Sequence, residues 1–132
     1  MKHLTIDLRP DAYSVVRLPA DAPVPAELLE PGRPGLVSAT RTPDELSVIC
    51  PSGHEPPGGT TEDGWRLFTV RGPLEFTLTG IISALASELA AAGVALFSLS
   101  TYDTDHILVR ADDLDRAMAA FRGAGHEVLL PG

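Results

Sequence analysis

Residues Ala95–Ala111, ALFSLSTYDTDHILVRA, read as two strands folded back on each other. Ala95–Thr101 and His106–Ala111 are rich in apolar and β-branched residues. The stretch Tyr102–Asp105 between them carries two aspartates, whose side chains favour turns by bonding to nearby backbone. Upstream, Gly80–Ala92 (GIISALASELAAA) places Ile81, Leu85, Glu88 and Ala92 on one line of a helix. Ile82, Ala86 and Leu89 lie beside that line, so the apolar stripe is broad and broken only at its edge by Glu88. Thr77 or Thr79 is placed to cap this helix and Gly93 to end it. Downstream, Asp112–Ala124 makes a second helix with Leu114, Ala117, Met118 and Phe121 inward. Its acidic start suits the helix dipole. Trp65–Arg71 before the pair and Glu127–Leu130 after it complete the order β-α-β-β-α-β. That order predicts an α+β, ferredoxin-like unit: a four-stranded antiparallel sheet with both helices on one face.

The first half is a compressed version of the same plan. Leu4–Leu8, Tyr13–Leu18, Leu36–Thr42 and Leu46–Cys50 have strand character. Ala26–Glu30 leaves room for one short helix before Pro31-Gly32, and Pro43-Asp44-Glu45 supplies a turn. Ser52–Gly64 (SGHEPPGGTTEDG) has the composition of a linker or exposed loop. The expected division is therefore residues 1–59 and 60–132, two tandem units without visible sequence repetition.

The totals narrow the function. The chain has 132 residues, 44% of them apolar, enough for one domain or two small units sharing a core. A net charge of −8 opposes binding to a phosphate backbone, so no nucleic-acid partner is expected. No apolar run reaches the ~20 residues of a membrane helix. The opening MKHLTIDLRP enters a strand pattern with no signal-like apolar region, and Cys50 is the one cysteine, which predicts a reducing, cytoplasmic setting. Cys50 sits in an apolar run and reads as a buried structural thiol.

Catalytic chemistry finds little support. No serine or cysteine lies in a nucleophile-elbow or phosphate-loop pattern. A phosphate cradle of the acylphosphatase kind, on this same topology, would use Arg71-Gly72-Pro73, but Pro73 removes a backbone donor. Asp103, Asp105, His106, Asp112 and Asp113 invite a metal reading, yet Asp105 and His106 are adjacent on a strand and point to opposite faces. Neither catalysis, a metal nor another cofactor is expected. A small zwitterion fits better. The helix start at Thr77–Gly80 offers backbone N–H groups and hydroxyls to a carboxylate, and Asp105 offers a negative charge to an ammonium or guanidinium. Each residue also has an ordinary local duty: a threonine as helix cap, Asp103 and Asp105 as turn formers, Tyr102 as a half-buried turn aromatic.

Leu99–Leu114 (LSTYDTDHILVRADDL) resembles the regulatory ACT domains of the CASTOR type, the cytosolic arginine sensors, and their small bacterial relatives. Ser38–Val48 (SATRTPDELSV) resembles the hairpin that precedes the second ACT domain in those proteins, and Gly64-Trp65 is similar too. The resemblance spans about Leu4 to Val128. It implies two tandem ACT-like units, corresponding to half of the four-unit sensor. It further implies a non-catalytic regulatory protein with a free amino acid at a unit–unit interface. Carried over by position, Thr77, Leu78, Thr79 and Gly80 hold the ligand's carboxylate, and Thr101, Tyr102 and Asp105 contact its amino or side-chain end. Because this chain carries one unit with the full motif, the resemblance implies a homodimer. The alternative is a structural ACT pair that dimerises or docks a partner without a ligand.

Overall fold

The apolar alternation of the second half becomes a sheet whose inward residues meet two helices. A computed structural model describes residues 3–72 and 80–132. The strands are β1 (Thr5–Leu8), β2 (Tyr13–Leu18), β3 (Ser38–Arg41), β4 (Leu46–Pro51), β5 (Thr60–Val70), β6 (Leu96–Ser100), β7 (Asp105–Arg110) and β8 (Glu127–Leu129). The helices are α1 (Ile81–Ala91) and α2 (Leu114–Gly123), with short 3-10 turns at Ala26–Leu29 and Ala111–Asp113. The chain divides into two compact units.

The first unit comprises Met1–Pro10 and Arg66–Gly132. Here β6 pairs antiparallel with β7 from Leu96↔Val109 to Ser100↔Asp105, and β7 pairs with β5. β1 lies antiparallel to β5 (Ile6↔Val70, Leu8↔Phe68) and parallel to β8 (Thr5↔Glu127, Asp7↔Leu129). The expected βαββαβ order is present, and both helices pack into one apolar cluster with the sheet. Ile6, Phe68, Val70, Ile107, Val109 and Val128 supply its strand side, and Leu85, Leu89, Ala117 and Phe121 its helix side. Phe121 stands edge-on to Phe68, ring centres 5.3 Å apart at 90°. The sheet is antiparallel-rich, as expected, with one addition: β1 stands between β5 and β8 and makes a parallel pair with β8. Leu4, Ile6 and Leu8 have their apolar partners in the second half, so the first ten residues group with it.

Glu88, the break in the α1 stripe, has a structural partner. His126 Nδ1 accepts the Leu4 N–H at 3.1 Å, so Nε2 carries the hydrogen and donates to the Glu88 carboxylate at 3.0 Å. The buried imidazole thus ties α1 and the β1 entry to the start of β8.

The second unit, Asp11–Trp65, contains β2, β3, β4 and the first half of β5. β4 lies between β3 and β2, both antiparallel to it. β2 pairs on its other side with residues 60–65 of β5, with an irregularity between Tyr13 and Val15. Val16, Leu18, Leu28, Leu46, Val48 and Cys50 form its core. The expected short helix is a single 3-10 turn. The expected linker Ser52–Gly64 is partly strand. Thr60–Asp63 belong to β5 but are exposed, so their polar composition conceals their ladder hydrogen bonds. Thr42, rather than an aspartate, organises the β3–β4 turn: its hydroxyl accepts the Asp44 and Glu45 N–H groups at 3.1 and 3.2 Å.

Candidate functional site

The β6–β7 turn carries the densest polar network among the described residues of the first unit. Alternation along β7 sends Ile107 and Val109 toward the helices, and Asp105 shares their side of the strand. Asp105 is half-buried and accepts a hydrogen bond from the Ser100 hydroxyl across the ladder. The Thr104 hydroxyl donates to the Val70 carbonyl at 2.6 Å, clamping the turn to the end of β5. From that end the chain runs through residues 71–79 to the start of α1. The first residue of β7 therefore sits where the connection to α1 departs.

His106 faces the other way. Its Nδ1 lies 3.0 Å from the Thr69 hydroxyl and its Nε2 3.3 Å from the Thr101 hydroxyl. The Thr101 hydroxyl donates to the Thr104 carbonyl at 3.3 Å, so it accepts from Nε2–H, and the Thr69 hydroxyl donates to Nδ1. Burial holds the imidazole pKa below its ordinary 6.5, with Arg9 adding to the effect and Asp105 opposing it. The folded state therefore binds this proton less tightly than the unfolded chain. The stabilising contribution is complete above pH 6.5 and is lost as pH falls toward the lowered folded value. We expect the urea midpoint of the wild type to fall more steeply than that of His106→Gln between about pH 7 and about pH 5. Parallel curves would remove His106 from the pH response.

The expected ligand residues divide as follows. Thr77, Leu78 and Thr79 lie outside the described residues. Gly80 is the N-cap of α1, with φ +80°, the left-handed region that favours glycine. Its carbonyl accepts the Ala84 N–H at 2.9 Å. Among the described residues no side chain caps this end, and no acidic residue occupies the first turn. A Cβ at Gly80 would meet nothing within 4 Å, so backbone sign rather than close approach explains the glycine. Thr101 is exposed, and its N–H donates to the Thr104 carbonyl at 2.9 Å, closing the turn. Tyr102 is 79% exposed, not half-buried as a packed turn aromatic would be. The structure brings Thr101 and Asp105 into one turn network, and Tyr102 projects from it.

Sequence reading undervalued Ser100, Thr104, His106 and Thr69. The signal was present: the i, i+2 alternation puts His106 opposite Asp105, and small hydroxyl residues surround both. Among the described residues, no group of three or more His, Cys, Asp or Glu side chains is arranged to hold a metal. Cys50 is buried, and desolvation followed by the charge of Glu55 raises its thiol pKa to about 11, which leaves it unreactive. No described helix is long and apolar enough to cross a membrane.

Known proteins resemble the chain in three ways. Residues 60–123 match the family model described as ACT domain, and residues 11–56 match a model described as an N-terminal domain, inside the second unit. A crystallised protein of Agrobacterium tumefaciens is 35% identical, with 100% of this chain and 96% of that chain aligned and a TM-score of 0.89. The regulatory subunit of aspartate kinase from Thermus thermophilus shares the fold at 14% identity, covering 91% of this chain and 97% of that chain with a TM-score of 0.64. The human cytosolic arginine sensor for mTORC1 subunit 1 is 39% identical over 51 residues. That match takes in 38% of this chain and 16% of the sensor, so the chain spans a small part of its curated relative. With its α+β, ferredoxin-like architecture, the chain belongs to the ACT-domain family.

Proposed function

We infer that the protein is a non-catalytic regulatory module that binds a free amino acid at an ACT–ACT interface. The observation that carries this reading is Asp105: a half-buried carboxylate on the helix-bearing side of β7, beside the exit of β5 toward α1. It supplies the pole for the ligand's ammonium or guanidinium group. The opposite pole is the start of α1, whose first turn carries no acidic residue to compete with a carboxylate. Thr77, Leu78, Thr79 and Gly80 would hold the carboxylate, with Thr101 and Tyr102 beside the other end. The arginine sensor supports an amino acid as the ligand class without deciding which one.

The site is assembled between two copies of the chain. A homodimer gives two symmetric sites and lets occupancy alter the interface, which is how a protein without chemistry of its own could signal to a partner. Its single buried cysteine suits the reducing cytoplasm. Sedimentation at micromolar concentration should give a dimer that the ligand strengthens. A monomer that binds the amino acid tightly would refute the interfacial site.

The second reading, a structural ACT pair without a ligand, has one observation in its favour: Thr101 and Asp105 are already hydrogen-bonded within the turn. Thermal unfolding with each of the twenty amino acids separates the two. A ligand specific for the native state, at ~100 times its dissociation constant, adds about 2.7 kcal/mol. A shift with at least one amino acid is expected; no shift with any at millimolar concentration leaves the structural reading.

A further inference from the structure

The second unit contains a cavity of about 340 Å³ that the proposed interface does not use. Its apolar lining comes from Leu28, Pro34, Val37 and Pro51, and charged side chains of opposite sign, Arg33 and Asp11, stand at it. The volume lies within the usual range of small-molecule pockets, ~300–1,000 Å³.

Three devices hold the walls in place before anything binds. The Leu36 N–H donates to the Tyr13 hydroxyl at 3.0 Å. Gly35, at φ +83°, brings the loop so close that a Cβ there would stand 2.7 Å from that hydroxyl and 3.1 Å from Pro51 Cγ. The loop bearing Arg33, Pro34 and Val37 is thereby pinned against β2 and β4. Next to the lining residues Ser52 and His54, the Glu55 carboxylate accepts the Ser14 hydroxyl at 2.6 Å and the Gly53 N–H at 2.8 Å. Ser52 Oγ lies 2.9 Å from Ser14 Oγ in the same network. The Ser14 bond is the largest cause holding the Glu55 carboxyl below its usual pKa, so this anchor stays ionised.

Both charged residues are exposed, so their groups are accessible to a ligand. Arg17 and Arg41 of the same unit donate to backbone carbonyls, at Asp44 for the first and at Ala20 and Ala22 for the second. Among the described residues, Arg33 and Asp11 side chains have neither a hydrogen bond nor an ion pair. Asp11 is also the one described non-glycine residue with positive φ, +74°. Aspartate tolerates that conformation at some cost in backbone strain, and the residue lines the cavity.

We propose that this cavity is a second ligand site, for a small amphoteric molecule with an apolar body. Arg33 receives its carboxylate, in the forked geometry that guanidinium favours. Asp11 receives its ammonium group, and Leu28, Val37 and the two prolines enclose the apolar part. The site lies wholly within the second unit, so it stands or falls independently of Asp105.

The test is amide NMR of the whole chain titrated with L-leucine, isovalerate and isopentylamine, which carry both charges, the carboxylate alone and the ammonium alone. L-Leucine should move the amides of Asp11, Ala12, Arg33, Gly35–Val37 and Ser52–His54, and bind more tightly than either fragment. Arg33→Gln, an exposed change, should weaken L-leucine and isovalerate about tenfold or more. Asp11→Asn, which tolerates the same backbone conformation, should weaken L-leucine and leave isovalerate unchanged. The proposal is overturned if none of the probes moves these amides at millimolar concentration. It is equally overturned if R33Q binds as the wild type does, or if D11N leaves L-leucine unaffected. Shifts confined to Gly80 and Thr101–His106 would support the interfacial site and reject this one.

Discussion

Replacing Phe121 with alanine is expected to destabilise the first unit by about 3–5 kcal/mol. The ring is fully buried where α2 meets the sheet, in edge contact with Phe68 and flanked by His126. Truncation removes apolar surface that folding had taken out of water and leaves a cavity that the paired strands beneath resist closing. A domain of this size has a total stability of only ~5–15 kcal/mol, so the loss is a large share of it. Urea unfolding followed by circular dichroism measures the effect. Leu130→Ala, at a position 60% exposed, provides the contrast and should change stability by less than ~0.5 kcal/mol. Similar midpoints for Phe121→Ala and the wild type would mean that α2 does not close the core described above.

The second large effect concerns binding. Asp105→Asn preserves size and keeps an oxygen to accept the Ser100 hydroxyl, but it removes the charge. If that carboxylate meets the ligand's cationic end in a partly desolvated interface, affinity should fall by about 2 kcal/mol or more, ~30-fold. Stability without ligand should change far less, because the hairpin bonds from Leu96↔Val109 onward are untouched. Isothermal titration with the amino acid selected by the unfolding screen measures the first, and urea unfolding the second. Unchanged affinity would assign Asp105 to turn formation alone.

The second half was legible because its helices and hairpin declare themselves locally. Leu85 and Leu89 are buried where the helical stripe puts them, and Ile107 and Val109 where strand alternation puts them. The position of β1 was not legible. Thr5–Leu8 pair with strands sixty or more residues away, and the short alternating run has no local mark of which neighbour it will take. Thr60–Asp63 were misread for a related reason. A polar, exposed strand satisfies its backbone through β2, and composition reports only its side chains. Within the site, Asp105 and Thr101 were legible as types suited to a ligand. Their link through Thr104 to Val70, and the clasp of His106 by Thr69 and Thr101, arise only when β5 and β7 lie side by side. The cavity beside Arg33 was illegible for the same reason. Its walls come from three separated stretches, joined by Tyr13, Gly35 and Glu55.

The central claim is that an amino acid is held between the start of α1 and the start of β7. Hydrogen exchange of the chain with and without the amino acid from the unfolding screen tests it most directly. Amides of the first turn of α1, from Gly80 to Ala84, and of the β6–β7 turn, from Ser100 to His106, should exchange more slowly when ligand is present. Asp105→Asn should abolish that protection at the same concentration. Unchanged exchange in both segments, while an amino acid demonstrably stabilises the protein, would place the ligand elsewhere and contradict the account.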